Sequence, residues 1–492
     1  MDSIANSNQE QLNVPNEDTA EITALPWLTS RRLILFVIAW MVLFAIGSVF
    51  ISNPFQGEPS ASAEPDYAHV MYMHGLLIGM VGLMALLSCT VFRLRSRHTR
   101  IWVTAGVLVA TILSAIGGIW DRSIPGSEVP MWVQIISFFA LDEILIAQLA
   151  GMVGQWREAP ETHSLPFAAA GLAFVALLGA ALMGHLAGWI MEFSWNTPPL
   201  IAAYAKSVGF TQSGDFTSAL VGSHSHEMAV GAMALAIALV AQQFGLAALS
   251  QNARRVVQVG LTLVAVGTVA MTVMYIVMGL TTWSPPTLFT SGANDVNGIA
   301  GDDAVTGVLV MFGGMVVIAG LALGRLGPAI PSFLRPIRFA AVWAYVLSFF
   351  TVALSGYAIA LNEVYFGAGD AKAPGAAQDA IFTWFHQDIG LFLFPTIVIV
   401  MLAVERLHMT SRSSSTWVGF ATAAGTTVVF LGGLVWVFLN PTLYGPGYVI
   451  ATIGLIAIGV ALLVSLWWGA FGKAEESVSS RETPLHGTPA AK

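Results

Sequence analysis

The stretch "LVGSHSHEMAVGAMALAIALVAQQ", residues 220–243, decides how this chain is read. It is apolar enough to cross a membrane, yet it carries His224, His226 and Glu227 near its start. Its surroundings are just as apolar. The 492-residue chain is 56% hydrophobic and 10% charged, against about 25% charged in a soluble domain. This composition predicts an integral membrane protein, counted in spans of about 20 residues each. Cys89 is the only cysteine. It excludes an internal disulfide and any cysteine-based zinc or iron–sulfur site, which leaves His, Met and carboxylates as metal ligands. A net charge of −8 without a basic patch gives no reason to expect nucleic acid as a partner.

Apolar runs near 32–52, 68–91, 101–120, 131–154, 166–191, 219–243, 256–281, 304–324, 336–361, 380–404, 416–439 and 447–469 predict an all-α bundle of twelve transmembrane helices. Residues 1–30 lack the basic start and apolar centre of a secretory signal. They read as a disordered cytoplasmic tail, as do residues 471–492, leaving 31–470 as one membrane domain. With the N-terminus inside, only Arg122, Lys206 and Lys372 of the 20 Lys and Arg fall in outer segments. That bias predicts both termini in the cytoplasm of a cell that inserts this chain as a multi-pass protein, with a bacterial plasma membrane as the expected location.

The histidines gather at one depth. His98, His163, His408 and His486 fall in inner loops or the tail and read as solvated. His69 sits close to the outer boundary as an interfacial residue. At 1.5 Å rise per residue, His74, His185, His226 and His386 each lie roughly 10 Å below the outer surface. A single membrane histidine can simply hydrogen-bond a neighbouring helix. Four at matching depth predict a cofactor layer instead, because ionisable groups in a membrane are costly. His224 is either part of that layer or a solvated neighbour of the helix start. Two residues apart on a helix means about 200°, so His224 and His226 share one centre only if the helix begins between them. Two imidazoles from facing helices can clamp a haem as a low-spin iron suited to electron transfer. In "HGLLIGMVG", Gly75, Gly79 and Gly82 leave room beside His74.

Asp142 and Glu143 in "SFFALDEILIAQLAG" fall near mid-membrane. They read either as a proton relay toward the histidine layer or as carboxyls bonded to a neighbouring helix. Glu227 is open between three roles: an acceptor that orients a neighbouring imidazole, a metal ligand, and a charge in the first turn of its helix. Asp388 is similar. Asp121 and Arg122 read as a surface ion pair, with contact to haem propionates as the alternative.

Twelve helices with both ends inside, and histidines in the outer half of helices two, six and ten, resemble the catalytic subunit of haem–copper oxidases and nitric oxide reductases. The resemblance implies that His74 in "YMHGLLIGM" and His386 in "WFHQDIG" ligate a low-spin b-type haem, and that His226 or His224 matches the family's copper ligand. The sequence also departs from the family. Trp384 stands where the high-spin haem ligand is expected. The seventh span, "MYIVMGLTTWSPPTLF", has no histidine pair. No Tyr follows the helix-six histidine at the cross-link spacing. The implied protein is a diverged relative that carries electrons through one bis-histidine haem. A second metal, copper or iron, would rest on His224, His226, His185 and Glu227. Quinol, a cytochrome c or a cupredoxin would be the donor, and partner subunits would accompany the chain. "HSHEMAVGAMALA" also resembles the His-x-His-Glu-Met stretch of twelve-helix haem and copper proteins that protect against nitrosative stress. Outside both resemblances, deep histidines and acids suit a proton-coupled secondary transporter.

Overall fold

The structure is a computed structural model. It describes residues 30–50, 67–123, 129–160, 163–193, 199–246, 249–283, 304–326, 332–366, 381–382, 385–439 and 445–471. The tails expected at 1–30 and 471–492 therefore lie almost wholly outside the described residues, as does Trp384.

Every regular element among the described residues is helical. In order they are α1 (Ser30–Phe50), α2 (Tyr67–Val91), α3 (Arg97–Ser123), α4 (Val129–Glu158), α5 (Leu165–Phe193), α6 (Pro199–Ser207), α7 (Ser213–Gln243) and α8 (Gln251–Leu280). A π-helical segment, Ala304–Phe312, runs into α9 (Gly313–Leu323), and a 3-10 turn, Ser332–Leu334, precedes α10 (Arg335–Phe366). A second π-helical segment, Phe385–Leu393, runs into α11 (Phe394–Arg406). α12 (Arg412–Leu434) ends in a short π turn, Val435–Leu439, and α13 (Pro446–Phe471) completes the set. Ten helices are long and apolar enough to cross a membrane among the described residues, and Leu309–Leu323 is a shorter apolar helix. Described helix falls within each expected stretch, and ten of these helices reach spanning length.

Two local differences from the sequence reading matter. The polar run "SGDFTS" continues the helix, so α7 begins at Ser213 rather than near 219. In the long segment between α5 and α7, α6 forms where a plain loop was expected. Elsewhere the polar side chains set the boundaries. Ser250 accepts the Ala253 amide to start α8, and Ser411 and Ser414 form a reciprocal capping box at α12.

α7 is the centre of the bundle. From Met228 to Ala241 every residue is buried. A helix apolar on all sides has to be enclosed by others. α7 touches α2, α5, α8, α9, α11 and the π-helical segments at 304–312 and 385–393. α13 is the opposite case, the least enclosed of the spans. It packs on α12 through glycines. A Cβ on Gly432 would lie 2.4 Å from the Ala451 amide nitrogen, and one on Gly454 would lie 2.6 Å from the Gly425 carbonyl. The two backbones touch, as small residues allow in membranes. Gly432→Leu is therefore expected to pry α12 from α13 and cost about 1–3 kcal/mol. This should be read as a lower unfolding midpoint in detergent. Gly459→Leu, where the added Cβ meets nothing within 4 Å, should leave the midpoint unchanged.

Candidate functional site

Because α7 starts at Ser213, both of its histidines lie well inside the helix. Their separation of about 200° then places them on opposite sides. The contacts bear this out. His224 faces α2 and α5. Its Nδ1 lies 2.7 Å from the Ala180 carbonyl, and its ring centroid is 6.3 Å from that of His74, with the planes 20° apart. His226 faces α8 and the 385–393 segment. Its ring is 5.8 Å from that of Tyr275, and it lies within electrostatic reach of His386. α7 therefore divides the imidazoles into two pairs, His74 with His224 and His226 with His386.

Three of these rings are held in the same way. A carbonyl only accepts, so a ring nitrogen beside one must carry the proton. His224 donates Nδ1–H to Ala180, and His226 donates Nδ1–H to Gly222 at 2.8 Å. His386 donates Nδ1–H to Val352 on α10 at 3.1 Å, with the Ser355 hydroxyl 3.2 Å from the same nitrogen. In each case the tautomer leaves the Nε2 lone pair available, which is how metal-ligating histidines are oriented. Glycines give the rings space. A Cβ on Gly184 would lie 2.6 Å from Nδ1 of His224, and one on Gly356 would lie 3.1 Å from Cε1 of His386. The π-helical turn at 385–393 carries His386, and such turns cluster at functional sites.

The remaining candidates extend the His224 side. His185 on α5 binds Asp142 of α4, Nε2 to Oδ2 at 2.7 Å, with its ring parallel to Phe139 at 5.1 Å. It also lies within electrostatic reach of His224. The Phe138 ring sits between the two sets, 5.1 Å from His74 and 6.0 Å from His185. Asp142 is thus joined to the histidine layer. Glu143 points away, toward Gly106 on α3, where an added Cβ would meet its Oε2 at 3.4 Å. Glu227 lies on the α5 side of α7, one turn below His224, packed against Gly179. Its side chain is fully buried, and it also interacts with Thr272 of α8.

The four-residue metal set of His224, His226, His185 and Glu227 is not gathered at one point. His226 stands on the far side of α7 from His224 and His185, and Glu227 lies about 100° round the helix from it, against Gly179. Among the described residues no group of three or more His, Cys, Asp and Glu is arranged to hold a metal ion. The structure supplies imidazole pairs in place of a cluster. The side chains of His69, Asp121 and Arg122 lie outside the described residues. His163 is elsewhere, bonded to the Trp156 carbonyl and stacked on the Trp156 ring at 3.9 Å.

Sequence reading missed several residues. Tyr275, Ser355, Gly184 and Gly356 touch the imidazoles from helices whose rotation no one-dimensional pattern gives. It also missed a buried ion pair at the arginine-rich end of the molecule. Arg338 on α10 donates from Nε and Nη2 to Oε1 of Glu405 on α11 at 2.9 and 2.7 Å. It gives Nη1 to the Leu326 carbonyl at 2.7 Å and lies 4.3 Å over the Phe244 ring. Both side chains are almost wholly buried. The signal was present in "LAVERLHM", where an acid interrupts an apolar run.

Comparison with models of protein families, with curated proteins and with solved structures finds no match for this chain. Composition and structure define it as an all-helical, multi-pass membrane protein.

Breaking a buried ion pair on one side leaves an uncompensated charge, at a cost of about 3–5 kcal/mol. Arg338→Met is expected to lower the unfolding midpoint sharply. The double change Arg338→Met with Glu405→Met should recover much of the loss, as measured by thermal unfolding in detergent.

Proposed function

We propose that this protein is a membrane redox protein that binds b-type haem through paired imidazoles on either side of α7, as a diverged relative of the haem–copper oxidoreductases. The observation that carries the reading is the common posture of His224, His226 and His386. Each is anchored at Nδ1 by a backbone carbonyl and keeps Nε2 available. A purely structural histidine needs no such common tautomer. The residues fit the group. The glycines at 184 and 356 press directly on His224 and His386, and the 6.3 Å between the His74 and His224 rings is about what two imidazoles on opposite sides of a metal ion need at metal–nitrogen distances of about 2 Å.

On this reading the ligands pair differently from the family pattern. His74 takes His224 as its partner, and His386 takes His226. The first pair is the better candidate for the low-spin haem. The second, beside Tyr275, is the candidate for a further iron or copper. Haem, when bound, supplies one-electron chemistry. The chain's own contribution is to fix the rings and to move protons. Asp142 holds His185, and His185 stands beside His224, so this carboxylate–imidazole chain delivers protons toward the first pair while Glu143 stays off it. Twelve spans with both ends in the cytoplasm put the imidazoles near the outer face. An outer-face donor such as quinol, a cytochrome c or a cupredoxin, and partner subunits, are consistent with that placement. One observation favours a second reading. The fully buried Glu227 and the separate Arg338–Glu405 pair place ionisable groups at two depths, as in a proton-coupled transporter.

The haem content of purified variants, measured as pyridine haemochrome per protein, tests the assignment. His74→Ala and His224→Ala should each lose most of the low-spin haem, and His163→Ala should retain it. Full retention in both of the first two variants overturns the pairing. A folded wild-type protein without haem or metal, from cells able to supply both, moves the transporter reading to first place.

A further inference from the structure

A separate feature lies at the arginine-rich end, about 25 Å along α2 from His74. The turn from α2 into α3 carries Arg93, Arg95, Arg97 and Arg100, with no acid between them. It closes against the last turns of α4 and leaves a cavity of about 330 Å³. Arg95, Arg97 and His98 form one wall, and Gly151, Gly154 and Glu158 of α4 form the other.

The wall is held in place. Gln155, buried on α4, accepts the Arg95 amide at 2.9 Å and donates to the Phe92 carbonyl at 3.1 Å. Thr99 sits directly on Gly151, where an added Cβ would lie 2.5 Å from its side chain. Gly154 differs, because a Cβ there would meet nothing within 4 Å. The wall at Gly154 therefore faces open space. The two arginines outweigh the single carboxylate of Glu158, so the site favours an anion, and guanidinium groups suit phosphate oxygens.

The position says which anion. The cavity lies where the apolar spans of α3 and α4 end. Trp102 on α3 is 56% exposed and Trp156 on α4 is 40% exposed, as expected of aromatic residues at a headgroup boundary. Apolar side chains such as Val109 and Val153 stay exposed further along the same two helices, a surface suited to acyl chains. We propose that this cavity binds the phosphate-bearing headgroup of an anionic lipid. Basic pockets between membrane helices recognise lipids in this way.

The test is native mass spectrometry of the full chain, released from bilayers of equal phosphatidylglycerol and phosphatidylcholine. Wild type should retain phosphatidylglycerol over phosphatidylcholine by at least about tenfold. Arg95→Gln with Arg97→Gln should remove that preference. Gly154→Leu should remove it too, since it fills the cavity from the α4 wall without changing charge. Arg335→Gln with Arg412→Gln, an equal loss of charge at other exposed positions of the same end, should keep it. Equal retention of both lipids by wild type, or full retention by Gly154→Leu, overturns the proposal. Inorganic phosphate separates the two sources of the same chemistry. Displacement of bound lipid by millimolar phosphate supports a phosphate-reading site. Saturable phosphate binding, seen by phosphorus NMR with no lipid retained, overturns the lipid assignment.

Discussion

A helix that is apolar on every face is stable only when other helices surround it, and α7 imposes that requirement on the whole bundle. Its buried run from Met228 to Ala241 draws α2, α5, α8, α9, α11 and two π-helical segments around it. The polar residues it carries are then buried by the same enclosure. His224, His226 and Glu227 lie within the bundle because they belong to the central helix. Each must find a partner inside the bundle, as His224 does on α5 and His226 on its own helix at Gly222.

The helix also decides how those residues divide. Continuous α-helical backbone through 224–226 turns the two imidazoles to opposite sides, so α7 works as a partition. On one side His224 meets His74, Ala180 and, through His185, Asp142. On the other side His226 meets Tyr275 and the neighbourhood of His386. The backbone carbonyls of Ala180, Gly222 and Val352 then settle the tautomers. The imidazoles thus stand as two pairs on either side of α7, and among the described residues no group of three or more His, Cys, Asp and Glu is arranged to hold a metal ion.

Much of this was legible in the sequence. Apolar runs located the helices, and the rise per residue gave His74, His185, His226 and His386 one expected depth; the structure sets His74 and His185 on the His224 side of α7 and His226 and His386 on the other. The pairing was not legible, because it depends on how far each helix turns about its axis. The earlier start of α7 was hidden by "SGDFTS", whose polar residues read as loop although Asp215 suits a first helical turn. Asp142 and Glu143 are adjacent in sequence and looked equivalent, yet packing sends one to His185 and the other toward Gly106. Arg338 and Glu405 lie 67 residues apart, beyond any local pattern. Arg338 was counted only as one more cation of the inner side.

The central claim is that imidazole pairs separated by α7 are axial ligands. Electron paramagnetic resonance of the oxidised, purified full chain, with iron counted on the same sample, tests it most directly. A low-spin ferric signal characteristic of two axial imidazoles, with at least about one iron per chain, is the predicted result. Iron present only as a high-spin species, or a folded protein with no iron, would contradict the account.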